Sequence, residues 1–262
     1  MSVVASIASR WKTHQLHHFV HTKWGRNLKK LQGVHAGKRC FIIGNGPSLC
    51  AKDLEQLKDE YTFAFNRIYH IFSETSWRPT YYCTQDSKIA VASAEEISKK
   101  IQTPYIFAPI NLRWYENADL NSAYFFNPKL AGEEVPEFSE DISSFVGVGN
   151  TVAYTAMQIA AYMGFSEIYL LGVDHSFRAY QDESGNIVTD QKAKDYFTDK
   201  YNQDKEQLFV PRLDLSTMSY MVAQQYTKNH PVKIYNATRG GKLEVFPRVN
   251  FDDLFTGDTE QK

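Results

Sequence analysis

The residues best suited to chemistry follow a short apolar run near the start of the chain. The run Cys40–Ile43 predicts a buried strand, and a helix-like segment begins near Lys52. Between them stands a turn made of Gly44, Asn45, Gly46, Pro47 and Ser48. Its glycines let a ligand approach the backbone, and its amides can point at a phosphate beside the positive end of the following helix. We therefore expect this turn to bind the phosphate-bearing part of a ligand.

Polar residues also stand where the later predicted strands end. These further positions are Asn66, Asp86, Asp174 with His175, and Asn236. Asn150 and Thr151 begin a predicted helix, where they either cap the helix or help to bind an anion. Because ligands lie beyond the carboxyl ends of the strands in an open α/β sheet, we expect all of these residues to border one pocket. The uncharged amides suit base edges, ribose hydroxyls or phosphate oxygens, which favours a nucleotide.

Asp174 and His175 are the candidates for catalysis. A histidine at a strand end can accept a proton near neutral pH, although a structural role is the alternative. Asp86 and Asp174 could each hold a metal, orient a sugar hydroxyl or act as a base. The polar, charged and aromatic segment at about residues 176–212 has no core pattern, which predicts a lid. The cations on the late loops that could neutralise a diphosphate or an acidic sugar are Arg178, Arg212, Arg239 and Lys242.

An α/β framework is needed to bring these residues together. Strand-like runs alternate with helical segments at about residues 52–59, 88–101, 151–163 and 215–229, while residues 111–145 predict short elements and loops. The expected fold class is α/β, with a single Rossmann-like domain, a mainly parallel sheet and helices on both faces. We place this nucleotide-binding domain at residues 38–256, followed by a disordered tail at residues 257–262.

Residues 1–37 form a basic, aromatic arm. Leu16, Phe19, Val20 and Trp24 follow helical spacing, which predicts one apolar face on a helix that is otherwise basic or histidine-bearing. Such a helix either packs on the core or lies on an anionic membrane surface through residues 11–30. The arm holds four histidines at helical spacing but no carboxylate or cysteine, so we do not expect a metal there.

The composition limits the possible functions. The chain has 262 residues and a net charge of −1, but its first 40 residues carry eight basic and no acidic side chains. The acidic remainder is untypical of a nucleic-acid-binding domain. The three cysteines lack the spacing of metal ligands, and the chain has no apolar run long enough to span a membrane. Both features predict a cytoplasmic location, and the basic arm adds the expectation of peripheral contact with the inner face of the membrane. The sequence lacks the Walker motif of P-loop proteins and the third glycine of the dinucleotide-binding motif Gly-x-Gly-x-x-Gly. It also lacks the Gly-x-Ser-x-Gly turn of serine hydrolases and the Asp-x-Asp pair of many sugar-nucleotide transferases.

Three blocks of the sequence resemble known families: Ile43–Leu49, Thr151–Asp174 and Val232–Asn236. Together they resemble the bacterial sialyltransferases of glycosyltransferase family 42, over roughly residues 40–245. The motifs Tyr-Leu-Leu-Gly-Val-Asp-His and Tyr-Asn-Ala-Thr-Arg-Gly-Gly-Lys-Leu resemble the family named for the archaeal 6-hydroxymethylpterin diphosphokinase, many of whose bacterial members look like surface-glycan or flagellin-glycosylation proteins. Both resemblances imply a single Rossmann-like nucleotide-binding domain with a lid.

The sialyltransferase resemblance also implies roles for individual residues. Asn45, Gly46, Ser48 and Asn66 would bind the nucleotide, Thr151 would lie near the donor phosphate, and Asp174 near the ribose or base. Lid tyrosines that assist the leaving phosphate would correspond to Tyr180, Tyr196 or Tyr201. The sialyltransferases carry a catalytic histidine in the lid, but this chain has no histidine between His175 and His230. Either His175 takes that role or the reaction differs.

The leading hypothesis is an inverting glycosyltransferase that uses a nucleotide-activated sugar, CMP-linked and acidic, in cell-surface glycan synthesis. It needs no cofactor, and its partners are the sugar donor and a glycan or glycolipid acceptor. The first alternative is a diphosphokinase that transfers diphosphate from ATP to a pterin-type alcohol, with Mg²⁺ held by Asp86 and Asp174. The second is a nucleotide-binding module without catalysis. A homo-oligomer is compatible with each of them.

Overall fold

The computed structural model of the protein describes residues 3–116, 120, 123–132, 134–202 and 209–256. The tail at residues 257–262, expected to be disordered, lies outside these ranges. Within them, the strands are β1 (Arg39–Ile43), β2 (Tyr61–Phe65), β3 (Tyr81–Cys83), β4 (Ile106–Pro109), β5 (Ala123–Phe126), β6 (Pro128–Leu130), β7 (Val146–Val148), β8 (Glu167–Leu171), β9 (Ala179–Gln181), β10 (Ile187–Thr189) and β11 (Lys233–Asn236).

Seven of these described strands form a central sheet in the order β11-β8-β1-β2-β3-β4-β5, and every neighbouring pair is parallel. The chain builds outward from β1 to β5 and then returns to place β8 on the other side of β1. The direction of strand addition therefore reverses between β1 and β8, which is where ligands bind in sheets of this kind. The predicted α/β class with a parallel, Rossmann-like sheet is confirmed.

Helices flank the sheet because parallel neighbours need crossover connections. In the described ranges they are α1 (Val3–His17), α2 (Lys23–Lys29), α3 (Ala51–Glu55), α4 (Ser87–Ala92), α5 (Ala94–Lys100), α6 (Ile110–Tyr115), α7 (Val152–Tyr162) and α8 (Leu213–Thr227), with 3-10 turns at Phe19–His21, Ile68–Ile71, Asp199–Asn202 and Asp252–Phe255. The apolar helix α7 is almost wholly buried, and it packs on β1, β2 and β3. It also packs against α8, which contacts the edge strand β11.

One predicted helix is divided in the structure. The segment at about residues 88–101 forms α4 and α5, which are separated at Ser93. Ser93 is buried, and its Oγ accepts a hydrogen bond of 3.1 Å from Nε of the buried Arg67. A buried guanidinium needs such acceptors, so the break in the helix serves a polar contact that helical periodicity does not reveal.

The N-terminal arm also differs from the single amphipathic helix that its spacing predicts. Thr22 ends the first helical stretch, and its side chain accepts a hydrogen bond from the Gly25 amide to cap α2. Phe19 and Leu28 are buried, and α2 packs against β5. The backbone amides of Gly33, His35 and Gly37 then donate hydrogen bonds to the end of α7 and to Gly164. Most of the predicted apolar face is therefore used in packing, and the second half of the arm belongs to the domain.

The described helices were also tested as membrane spans. None of them combines the length and apolar character needed to cross a bilayer.

We predict that Gly44→Ala destabilises the protein far more than Gly240→Ala. A Cβ on Gly44 would lie 2.2 Å from the Gly172 carbonyl oxygen, so β1 and β8 would have to separate. Gly240 has a positive φ of 79° but open space around its Cβ position, so only backbone strain opposes that change. Urea unfolding should show a loss of about 3 kcal/mol for Gly44→Ala and about 1 kcal/mol for Gly240→Ala. Equal losses would contradict the close strand contact.

Candidate functional site

A cavity of about 420 Å³ opens at the carboxyl ends of β1, β2, β3 and β8. It lies at the switch point of the sheet, and the start of α7, the start of α8 and part of the lid complete its wall. Of the residues predicted from sequence, it brings together Gly44, Asn45, Gly46, Asn66, Asp86, Asn150, Thr151, Asp174, His175 and Arg212. Its size suits a small ligand such as a nucleotide.

The glycines of the first turn are required by the contact between two strand ends. The Gly46 amide donates to the Gly172 carbonyl at 2.9 Å, and a Cβ on Gly46 would lie 1.9 Å from Asp174 Oδ2. Gly172 itself has a positive φ of 69°. The turn after β1 therefore sits directly on the turn after β8, so packing alone demands these glycines.

Ser48 and Pro47 do not line the cavity among the described residues. The Ser48 hydroxyl donates to Asp174 Oδ2 at 2.7 Å, and the Ser48 amide points at the same oxygen at 3.4 Å. The anion that Ser48 meets in this structure is therefore the Asp174 carboxylate. The helix that follows, α3, covers Ala51–Glu55 and is shorter than the helix expected over residues 52–59.

Asn45 is held by its amide group and leaves its oxygen unused. Its Nδ2 donates to the Phe65 carbonyl at 3.1 Å, whereas its buried Oδ1 has no hydrogen-bond partner within the described ranges. A buried acceptor without a partner is costly, which suggests that a ligand donor completes the site. The Phe197 amide of the lid donates to the Asn45 carbonyl at 3.0 Å, so the lid is tied to this turn.

Backbone strain is concentrated in the cavity wall. Within the described part of the chain, the non-glycine residues with positive φ are Asn66 at 46° and His175 at 53°, and both line the cavity. Asparagine and histidine are enriched in this region of backbone space, but it still raises their energy by about 1–3 kcal/mol. Strain of this kind clusters at functional sites, where it holds a side chain in one orientation.

The start of α7 provides the second predicted anion position. Thr151 caps the helix through a hydrogen bond from the Ala153 amide at 3.4 Å, and its hydroxyl also lies 3.1 Å from the Tyr220 hydroxyl. Gln85, which the sequence patterns do not single out, bridges to this region. Its Oε1 accepts from the Thr155 hydroxyl at 2.6 Å and its Nε2 donates to the Gly149 carbonyl at 3.3 Å.

Asp86, Asp174 and Asp195 line the cavity, and burial desolvates the first two carboxylates. Asp174 is only 7% exposed, and burial raises its pKa, although the hydrogen bonds from Ser48 oppose that change. Burial likewise raises the pKa of Asp86, whose Oδ1 caps α4 by accepting from the Ile89 amide at 3.1 Å. The described residues contain no group of three or more metal-ligand side chains. A magnesium ion held by Asp86 and Asp174 would therefore need water and substrate oxygens to complete its shell.

The hydrogen bonds around His175 indicate which ring nitrogen is free. The Thr217 hydroxyl lies 2.8 Å from the Leu213 carbonyl oxygen, so its one proton is donated there. The same hydroxyl oxygen lies 2.8 Å from His175 Nε2, and it must therefore accept the Nε2–H. The neutral ring then keeps a lone pair on Nδ1. Burial lowers the pKa of His175 to about 4, so the ring is neutral at neutral pH.

Two lid tyrosines line the cavity, Tyr196 and Tyr201. Their rings stack with centroids 3.7 Å apart, and the buried Arg67 donates to the Tyr201 carbonyl at 2.7 Å. Both are candidates from the sequence for assisting the leaving phosphate. The third candidate, Tyr180, lies in β9 beside a different surface depression. Burial raises the pKa of Tyr196, so its hydroxyl stays protonated and can donate to a ligand.

Several predicted residues lie outside the cavity wall formed by the described residues. Asn236 is fully buried and structural, since its Nδ2 donates to the Leu243 carbonyl at 2.8 Å and its Oδ1 accepts from the Thr238 amide. Arg239 forms ion pairs with Asp53 and Asp252. Arg178 is exposed on the lid. Arg212 does reach the wall, where it forms a bidentate pair with Asp214.

Comparison with protein families gives a match over residues 13–179, more than half of the chain, to the model described as 6-hydroxymethylpterin diphosphokinase MptE-like. The chain belongs to the MptE-like family. Curated proteins give no significant match to this MptE-like chain.

Two solved structures share the fold of this MptE-like protein. The MAf glycosyltransferase from Magnetospirillum magneticum AMB-1 has a TM-score of 0.51 and 16% identity, over 89% of this chain and 39% of that one. The sialyltransferase CstII from Campylobacter jejuni, in complex with cytidine-5'-monophosphate, has a TM-score of 0.50 and 16% identity, over 82% and 85% of the two chains. The MptE-like chain thus spans about two fifths of the MAf protein.

We predict that His175 makes the protein less stable in acid. Between pH 6.5 and about 4 the unfolded chain binds a proton at this residue that the folded protein does not, so stability falls as the pH falls through that window. The variant His175→Asn should lose this part of the pH dependence, and asparagine tolerates the positive φ. Urea unfolding from pH 4 to 7 measures the effect, with the exposed His14→Asn as control. Equal slopes in all three proteins would contradict a neutral His175 in the folded protein.

Proposed function

We propose that this MptE-like protein is a glycosyltransferase that takes a CMP-linked acidic sugar as donor and acts in cell-surface glycan synthesis. The observation that carries the proposal is His175, a half-buried neutral imidazole in a strained backbone at the switch-point cavity, with Nδ1 available to accept a proton. The likeness of fold to two glycosyltransferases, one of them bound to cytidine-5'-monophosphate, supports the same function.

The nucleotide is assigned to the side of the cavity near β1 and β2. Asn45 supplies an unpartnered oxygen for a base amino group or a ribose hydroxyl, and Asn66 lies at the next strand end. The donor phosphate is assigned to the start of α7 at Asn150 and Thr151, where the backbone amides and the helix dipole favour negative charge. Tyr196 donates a further hydrogen bond to the leaving phosphate.

The reaction is a direct displacement with inversion. An acceptor hydroxyl oxygen attacks the anomeric carbon of the sugar, and its proton moves to His175 Nδ1. The bond from that carbon to the phosphate oxygen breaks, and its electron pair leaves with CMP. Asp174 orients a donor hydroxyl. The lid holds the site closed through the bond from Phe197 to Asn45 and excludes water from the donor.

A diphosphokinase is the second candidate because the family model carries that name. It would place Mg²⁺ between Asp86, Asp174 and the phosphates of ATP, and it would transfer diphosphate to a pterin-type alcohol. A nucleotide-binding module without catalysis is the third candidate. It would use the same cavity and show binding without turnover.

We further propose a cytoplasmic location, with contact between residues 11–30 and the anionic inner face of the membrane. The exposed basic side chains of this stretch carry that contact, since Phe19 and Leu28 are buried. Those side chains are Lys23, Arg26, Lys29 and Lys30.

Thermal unfolding with nucleotides separates the candidates. We predict that CMP raises the melting temperature by about 5 °C at saturating concentration without added metal, because it binds only the folded protein. CDP, UDP, GDP and ATP, each with and without Mg²⁺, serve as comparisons. A shift seen only with ATP and Mg²⁺ would contradict the glycosyltransferase and favour the diphosphokinase.

A second prediction concerns the proton acceptor. His175→Asn should slow the release of CMP from CMP-sialic acid at least about 100-fold, because water or an acceptor loses its general base. The CMP-induced thermal shift should persist, since the variant keeps the backbone conformation and the nucleotide contacts. His14→Asn is the matched control and should retain full activity. Near-normal turnover by His175→Asn would assign His175 a structural role.

A further inference from the structure

A second cavity, of about 570 Å³, shares His175 in its wall with the cavity at the switch point. It is formed by the outer face of α8 and by the loop after β11, and His175 is the residue that lines both cavities. Its described wall includes Thr217, Met221 and Gln224 of α8 and residues 242–245 of the loop. None of the residues assigned above to donor binding lines this second cavity.

Gln224 gives this cavity an unused hydrogen-bonding group. Its Oε1 is buried and has no partner among the described residues. The last torsion of a glutamine side chain has a broad, shallow energy profile, so the amide can turn toward a ligand. No existing hydrogen bond to Oε1 is broken when it does so. A ligand hydroxyl that donates to this oxygen would remove the cost of leaving it unpaired.

The remaining groups offer complementary chemistry. Lys228 and Lys242 supply donors, while Gln225 supplies both a donor and an acceptor. The charge of Glu244 is neutralised by Arg248, and Lys242 lies 3.5 Å from Asp190. Met221 is 59% exposed and adds an apolar surface at the mouth, beside Val245. Closely spaced donors and acceptors next to apolar surface match a polyhydroxylated ring.

We infer that the second cavity is the acceptor site and that the acceptor is a saccharide, an inference that rests on the proposed transferase function. The saccharide lies along α8 with a hydroxyl donated to Gln224, and its reacting hydroxyl reaches His175. The donor sugar approaches His175 from the first cavity. The acceptor proton passes to Nδ1, the new bond forms at the anomeric carbon, and CMP departs with the electron pair of the broken bond.

Thr217 is the positioning residue of this arrangement. It lies in the wall of the second cavity, and it holds His175 Nε2 at 2.8 Å while donating its own proton to Leu213. The ring is thereby fixed between the two cavities in the tautomer whose free nitrogen can take the acceptor proton.

The test is saccharide binding to the full chain, followed by NMR of the glutamine side-chain amides and the histidine rings. The probes are lactose, methyl β-galactoside and N-acetylglucosamine at millimolar concentration. We expect at least one of them to shift the signals of Gln224 and His175, and Gln224→Leu to weaken that binding about tenfold. The exposed Gln32→Leu is the matched control and should bind as the wild type does. Met221→Trp, a change at an exposed position that narrows the mouth, should weaken binding without affecting folding.

The inference is overturned if no probe shifts Gln224, or if Gln224→Leu and Met221→Trp bind as tightly as the wild type. A thermal shift with CMP, measured on the same samples, separates this failure from failure of the proposed function. Loss of saccharide binding with an intact CMP shift refutes the acceptor site alone. Saccharide binding without any CMP shift refutes the donor while leaving the second cavity as a saccharide site.

Discussion

The contact between the turns after β1 and β8 is the constraint on which the site depends. These neighbouring strands end in glycines whose backbones approach so closely that a single Cβ at Gly44 or Gly46 would overlap with Gly172 or Asp174. The contact sets the switch point of the sheet, buries Asp174 against Ser48 and directs the chain into the strained conformation at His175. The cavity opens at this contact because the crossover connections leave the two strand ends in opposite directions.

The side chains that line the cavity differ in chemical character on the two sides of this contact. The β1 and β2 ends present uncharged amides, whereas the β8 end presents a carboxylate and an imidazole. The imidazole is held by Thr217 on α8, a helix that reaches the sheet through α7 and β11. Under the proposed function, nucleotide binding and proton transfer therefore lie on opposite sides of the switch point. The lid joins them through Phe197, whose amide donates to the Asn45 carbonyl.

Much of the fold follows from local sequence patterns. The runs around Ile42 and Leu170 are short, apolar and bounded by glycine, so they identify the central strands and place Asn45 and Asp174 at one sheet edge. Local sequence patterns do not show which side chains form hydrogen bonds or ion pairs with residues far away in the chain. The hydrogen bonds of Asn236 to Leu243 and Thr238 give that residue a structural role, and ion pairs to Asp53 and Asp252 hold Arg239 outside the cavity. The links from Gln85 to Thr155 and from His175 to Thr217 join segments far apart in sequence, so periodicity could not indicate them.

The most direct measurement is a crystal structure of the protein with CMP. The cytidine should lie against Asn45 and Asn66, with a donor of the nucleotide on Asn45 Oδ1 and the phosphate at the start of α7. The His175 ring should face the position from which the sugar departs. CMP bound away from the β1 and β8 turns, or a phosphate remote from both α7 and His175, would contradict the placement of the donor and the catalytic role of His175.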